Sequence, residues 1–287
     1  MWIVFVYLSK MKVFVVLALI VATASAGFVT PVHKAVHPRD LAAILAQPEG
    51  IQGRITNGKD ATEGQFPYQV GLSFSSSSGG WWCGGSLIDN TWILTAAHCT
   101  NGATGVTAYL GATVRTSPKL SYTVDKSNFV QHKSYSSLTL ANDISLIKIP
   151  SVSYTSYISN IALPKISSSY STYSGVNAIA SGWGLISDSA TAVNSQLQYA
   201  QLQVIDNSVC AKTYGSLTVT SKTICTATPS GTSTCSGDSG GPLVADGVLI
   251  GVTSFVHKNG CQSGAPAGFV RVTYFLDWIK ENSGVAS

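Results

Sequence analysis

An all-β fold is the class this sequence predicts, on three observations. Charged residues make up 10% of the 287-residue chain against 45% hydrophobic, and much of the remaining polarity is Ser, Thr, Asn and Gly, the residues of short strands and tight turns. β-like runs recur at Tyr68–Phe74, Trp92–Thr95, Asn142–Ile149, Leu197–Val204 and Leu243–Ser254, with turn residues between them. Helical periodicity is clear only near the end, where Phe275, Leu276, Trp278 and Ile279 share one face of a Tyr274–Asn282 helix.

From the N-terminus, Met11 opens a basic start followed by an apolar run and the small residues Ala24-Ser25-Ala26. This pattern predicts a signal peptide over residues 1–26, with Met11 a candidate true start. The run from Val13 to Val21 is too short to span a bilayer, so no membrane association is expected. Residues 27–54 carry Pro31, Pro38, Pro48, two histidines and the short apolar stretch Leu41–Leu45, but no cysteine. Composition shifts at Arg54-Ile55, and residues 55–287 contain no repeat or flexible linker, which leaves length for one large core or two small ones. The Ser-rich patch Ser75–Gly80 reads as a surface loop.

A net charge of +4 without a Lys/Arg cluster excludes a nucleic-acid footprint. All six cysteines lie downstream of residue 80, and in an oxidising compartment an even number implies disulfides, although spacing alone does not select the pairing. No CxxC pair occurs, and His98-Cys99 has no partner at finger spacing, so neither a metal nor another cofactor is expected.

Three segments together suit nucleophilic catalysis. Cys235-Ser-Gly-Asp-Ser-Gly-Gly-Pro242 places Ser239 between close glycines, which allow a sharp turn and let backbone N–H groups converge on an oxyanion. Leu94-Thr-Ala-Ala-His-Cys99 supplies an imidazole at His98. Asn142-Asp-Ile-Ser-Leu-Ile147 places the Asp143 carboxylate at the start of an apolar strand, where it can orient the histidine.

TAAHC, NDISLIKI and GDSGGP resemble the signatures of the chymotrypsin/trypsin-like serine peptidase family, and the resemblance spans essentially all of residues 55–287. Ser181-Gly-Trp-Gly184 and the C-terminal helix fit it as well. It implies two antiparallel Greek-key β-barrels with the catalytic cleft between them. His98, Asp143 and Ser239 become the triad, and the N–H groups of Gly237 and Ser239 the oxyanion hole. Ser254, Phe255 and Val256 fall on the substrate-binding strand, with Ser254 bonding the buried aspartate. Residues 27–54 become an activation propeptide: a cut after Arg54 frees the Ile55 amine to pair with Asp238. Thr56-Asn57-Gly58 departs from the usual Val-Gly-Gly, and the propeptide, lacking cysteine, should detach. Disulfides carry over as Cys83–Cys99, Cys210–Cys225 and Cys235–Cys261. Some members bind calcium in an acidic loop, but residues 101–124 hold no Asp or Glu.

The resemblance also addresses specificity. Ser233 falls at the pocket base, where trypsin-like members carry Asp, while Val256 and Ala267 fall on walls that are glycine in open pockets. Elastase-like cleavage after small or medium apolar residues is expected, with chymotrypsin-like cleavage after large aromatics as the alternative. An enzyme that rejects Arg needs a separate trypsin-like peptidase to cut Arg54-Ile55. The lack of accessory modules resembles arthropod digestive members. Secretion to an extracellular space such as the gut lumen, protein or peptide substrates, protein protease inhibitors as partners and a monomeric state are the corresponding expectations. Two rival readings fit the sequence less well. Gly237-Asp-Ser-Gly-Gly241 also satisfies the G-x-S-x-G of α/β-hydrolases, but that fold orders its triad Ser, acid, His, and only His257 follows Ser239. A catalytically dead homologue usually lacks a triad residue, and all three are present here.

Overall fold

The computed structural model describes residues 34–44 and 55–285; the expected signal peptide over 1–26 and the expected cleavage residue Arg54 lie outside them. Upstream, β1 (Ala35–Val36) runs into α1 (Pro38–Ile44), a helix that begins on proline, whose fixed φ suits the first helical turn. Then follow β2 (Lys59–Asp60), β3 (Gln69–Ser76), β4 (Gly79–Asp89), β5 (Trp92–Thr95), α2 (Ala97–Thr100), β6 (Gly105–Leu110), β7 (Leu120–Asp125), β8 (Phe129–Gln131) and β9 (Ser145–Lys148). The chain continues with β10 (Asn177–Gly182), β11 (Gln198–Ile205), α3 (Asn207–Tyr214), β12 (Thr223–Thr226), β13 (Pro242–Ala245), β14 (Val248–His257), β15 (Ala267–Arg271) and α4 (Leu276–Ser283).

Two antiparallel sheets result. The first runs β7-β6-β3-β4-β5-β9-β8. The second runs β14-β13-β10-β11-β12-β15 and closes on itself through β14–β15, with β1 added outside β14. Each encloses its own apolar cluster, one around Leu72, Leu87, Ile93 and Leu146, the other around Ala180, Leu202, Ile224 and Phe269. The closing segment belongs to the first cluster: Phe275, Leu276 and Ile279 are buried with it. α4 starts at Leu276, preceded by a 3₁₀ turn over Val272–Phe275, so the expected helix begins two residues late and ends on the left-handed Gly284.

Two readings of local structure change. The run Leu243–Ser254 is a hairpin, not one strand, because Asp246 and Gly247 both take positive φ (49° and 75°) and reverse the chain in two residues. Ser75–Gly80 is likewise a tight hairpin, with Ser76 opposite Gly79, rather than a loop. Helix α3 went unread because its apolar pattern is weak, although its caps are plain: Asp206 accepts a bond from Ser208 N at 2.7 Å, and Gly215 ends it.

Candidate active site

Strand pairing brings the histidine and aspartate together. β5 and β9 are neighbours with Thr95 opposite Ser145, so α2, just after β5, lies beside the residues just before β9. His98 N donates to Asp143 Oδ1 and His98 Nδ1 to Asp143 Oδ2, each at 2.8 Å, which leaves Nε2 with its lone pair. Ser254 Oγ donates to Asp143 Oδ2 at 2.7 Å. Burial alone would raise the Asp143 pKa. The adjacent His98 and His37 and these hydrogen bonds outweigh it and hold the carboxyl well below the usual carboxylate range.

Ser239 lies on the turn before β13, docked on the first sheet by the bond from Gly84 N to Ser239 O at 2.7 Å. Gly240 follows at φ 76°, and a Cβ there would lie 2.1 Å from Thr95 Oγ1, so glycine lets the Ser239 turn reach β5. Ser239 Oγ and His98 Nε2 are both buried without a hydrogen-bond partner. The N–H groups of Gly237 and Ser239 make no bond among the described residues, whereas Asp238 N and Gly240 N are satisfied by Cys235 O and Thr253 O.

Asp238 is fully buried. Gly184 N donates to its Oδ1 at 2.8 Å and Cys235 N to its Oδ2 at 2.9 Å. Burial pushes its pKa up to about 7 despite those two bonds. Gly182 and Gly184 wall the carboxylate so closely that a Cβ on either would fall within 2.4 Å of it, which accounts for the Ser-Gly-Trp-Gly pattern. Ile55 is fully buried in the cluster that includes Leu185 and Cys235. The departures that follow it have partners. Thr56 Oγ1 donates to Ser233 O at 3.1 Å and accepts from Ser233 N at 2.8 Å, and Asn57 Nδ2 donates to Ser230 O at 2.8 Å.

Ser233 is buried, its hydroxyl donating to Thr234 O at 3.0 Å. Val256 and Ala267 are buried in one cluster with Cys235 and Cys261. Phe255 stands against Gly268 and meets Tyr214 edge-on at 5.1 Å. Disulfides join Cys83 to Cys99 beside His98, Cys210 to Cys225, and Cys235 to Cys261 beside the pocket. Among the described residues three groups gather metal-ligand atoms: Cys83–His98–Cys99, His37–His98–Asp143 and Asp188–Cys235–Cys261. In the first and third the sulfurs are already bonded to each other, so they offer no thiolate.

Sequence reasoning missed two further contributors. Asp188 accepts bonds from Cys261 N at 2.7 Å and Gln262 N at 3.0 Å, clasping the segment that carries Cys261; nothing local in the sequence marks it. His37, from the upstream segment, stacks on His98 with ring centroids 4.0 Å apart and lies 3.5 Å from Asp143 Oδ2. Its signal was only a histidine among prolines.

Comparison with known proteins agrees with this geometry. A sequence profile of the trypsin family matches residues 55–279. Serine protease 1 of Drosophila melanogaster is 51% identical over 238 residues, covering 82% of this chain and 88% of that protein. Collagenase of Hypoderma lineatum is 42% identical over 278 residues, covering 96% of this chain and 99% of its own length. A solved structure titled HL collagenase superposes with a TM-score of 0.74 at 42% identity, covering 80% of this chain and 99% of that one. Sheet topology, site geometry and these similarities together establish that the chain belongs to the trypsin family of serine endopeptidases.

Proposed function

We propose that the chain is the secreted zymogen of a digestive serine endopeptidase, with residues 1–26 as signal peptide, 27–54 as activation propeptide and 55–287 as the peptidase domain. Ser239 Oγ attacks the scissile carbonyl as His98 Nε2 takes its proton, and the proton then passes to the leaving amine. Asp143 holds the His98 tautomer and stabilises its charged form. The Gly237 and Ser239 N–H groups receive the oxyanion, and water repeats the cycle on the acyl-enzyme. The observation that carries this reading is the His98–Asp143–Ser254 hydrogen-bond chain, together with a buried His98 Nε2 and a buried Ser239 Oγ that are both left without a hydrogen-bond partner.

Activation follows from the charges. Among the described residues Asp238 has two backbone donors and no cation, so a cut at Arg54-Ile55 that frees the Ile55 amine supplies the missing charge. Secretion is supported by the three disulfides, and no helix among the described residues is long and apolar enough to cross a membrane. A trypsin-like activator, protein inhibitors and a gut-lumen setting belong to the same proposal.

Cleavage after small or medium apolar residues is supported by the buried Val256 and Ala267 walls and by Ser233 in place of a carboxylate. The small Ala267 keeps cleavage after aromatic residues as the second reading. The test is hydrolysis of Ala, Val, Leu, Phe and Arg P1 substrates after trypsin activation and trypsin removal, with Ser239 labelled by a phosphonylating reagent. Turnover of Ala, Val or Leu with negligible Arg supports the proposal. Dominant Phe selects the second reading, and an unlabelled, inactive protein defeats the catalytic assignment.

A further inference from the structure

His98 and Ser239 are fully buried, although substrate must reach both. Residues 34–41 lie against this site, with His37 stacked on His98 and Pro38 O bonded by Ser236 Oγ. β1 lies antiparallel on β14 with Ala35 opposite His257 and Val36 opposite Val256, and Lys258 N donates to Lys34 O at 2.8 Å. Ser254–Val256 is the stretch of β14 on which a substrate strand is read to lie, so β1 occupies the place of an extended peptide. Continuing the register sets His37 opposite Phe255 and Pro38 opposite Ser254.

The details at Pro38 make this strand unlike a substrate. A substrate residue opposite Ser254 would offer its N–H to the Ser254 carbonyl, but proline has none. His37 Nδ1–H takes that carbonyl instead at 2.7 Å, and His37 Nε2 accepts from the Tyr135 hydroxyl at 3.1 Å. Both ring nitrogens are therefore used in the neutral form, in keeping with burial and the neighbouring His98, which bring the His37 pKa down to about 4. The Pro38 carbonyl accepts from Ser236 Oγ rather than from the oxyanion donors, and α1 begins there, turning the chain off the extended path that attack by Ser239 requires. Arg39 reaches over Trp81 to bond the His98 carbonyl. Leu41, 1% exposed, packs in the cluster of Val256, Ala267, Cys235 and Cys261.

We propose that residues 34–41 form a built-in peptide inhibitor, which fills the cleft in substrate direction, resists cleavage, and after the cut at Arg54 remains a reversible, competitive ligand of the mature enzyme. It rests on the serine-peptidase reading of the same cleft, with Leu41 as the apolar occupant of the specificity pocket. Its ligand class is a short peptide with an aromatic or imidazole side chain before proline and an aliphatic residue one helical turn later. Since no cysteine ties the segment to the domain, detachment is an equilibrium set by concentration.

The test uses full-length zymogen cut completely at Arg54. Activity per active site should rise on dilution, and synthetic propeptide Gly27–Arg54 added back to separated enzyme should raise KM without lowering kcat. His37→Ala propeptide should bind at least about tenfold more weakly, and mass spectrometry should recover the segment uncut at Pro38-Arg39. Binding is also read by tryptophan fluorescence, since Arg39 lies 5.2 Å from the Trp81 ring. That readout works on Ser239→Ala enzyme, so an inactive protein that still binds the propeptide would sink the catalytic proposal and spare this one. Activity strictly proportional to enzyme concentration with no inhibition by added propeptide, equal inhibition by the His37→Ala propeptide, or rapid cleavage at Pro38-Arg39 would each overturn it.

Discussion

Asp143 and Asp238 are both buried carboxylates, 1% and 0% exposed, and they stand in opposite electrostatic states. Asp143 accepts two bonds from His98 and one from the Ser254 hydroxyl, with His37 beside it, and its pKa is held well below the ordinary value. Asp238 accepts two backbone N–H bonds and pairs with no cation among the described residues, and its pKa rises to about 7. Burial is common to both, so partners decide. In the proposed mechanism the first carboxylate belongs to a finished device, the base and its orienter, and the second is a socket for a charge that chain cleavage would create.

The largest effect should come from breaking the finished side. Asp143→Asn keeps the shape but removes the charge that fixes His98 with Nδ1–H toward the carboxylate, and kcat in the activated enzyme should fall about 10⁴-fold. KM for a Leu substrate should change little, since Asp143 touches no substrate. A loss under about tenfold, measured by steady-state kinetics, would remove Asp143 from the triad.

How legible each side was in the sequence follows from the same contrast. His98, Asp143 and Ser239 stand in short motifs whose neighbours are constrained locally: Gly240 by its approach to Thr95, Gly182 and Gly184 by the carboxylate between them. Strand alternation located most of the strands that carry them. What stayed hidden depends on contacts between distant segments. Asp188 clasps Cys261 and Gln262 across 73 and 74 residues, and His37 meets Ser254 across 217, so no local pattern marks either. The hairpin inside Leu243–Ser254 was readable from its Asp-Gly pair, but unbroken hydrophobicity on both flanks masked the reversal.

Next in size is the pH dependence of the uncut chain. A carboxyl whose folded pKa lies above its unfolded value binds extra protons when folded, so its penalty is absent below pH 3.8 and grows until about pH 7. That span corresponds to about 4 kcal/mol of lost stability. His37 acts in the opposite sense, since its lowered pKa makes folding more favourable as pH rises from about 4 to 6.5. The informative quantity is therefore the difference between parent and Asp238→Asn, both carrying Ser239→Ala to prevent self-digestion. In urea denaturation, the advantage of Asp238→Asn should grow across this window in uncut protein and shrink after cleavage at Arg54. The same advantage in both forms would mean that the Ile55 amine does not fill the socket.

The smallest expected effect tests how the socket is coupled to the pocket. Thr56 stands where the family resemblance expects Val, and its hydroxyl both donates to Ser233 O and accepts from Ser233 N at the pocket base. Thr56→Val preserves the shape but leaves a buried N–H and C=O without that partner, at a cost of about 1–3 kcal/mol. If the hydroxyl only supports the fold, the loss should appear equally in cut and uncut protein, with kinetics unchanged. If it ties the inserted N-terminus to the pocket base, activated Thr56→Val should also show a raised KM for Leu substrates, while the rate of Ser239 phosphonylation by a reagent lacking a P1 side chain stays near parental. Thr56→Ser, which keeps the hydroxyl and loses one methyl, should recover most of the KM. Failure of that rescue would assign the effect to packing around Ile55 and leave the two carboxylates coupled only through the nucleophile turn.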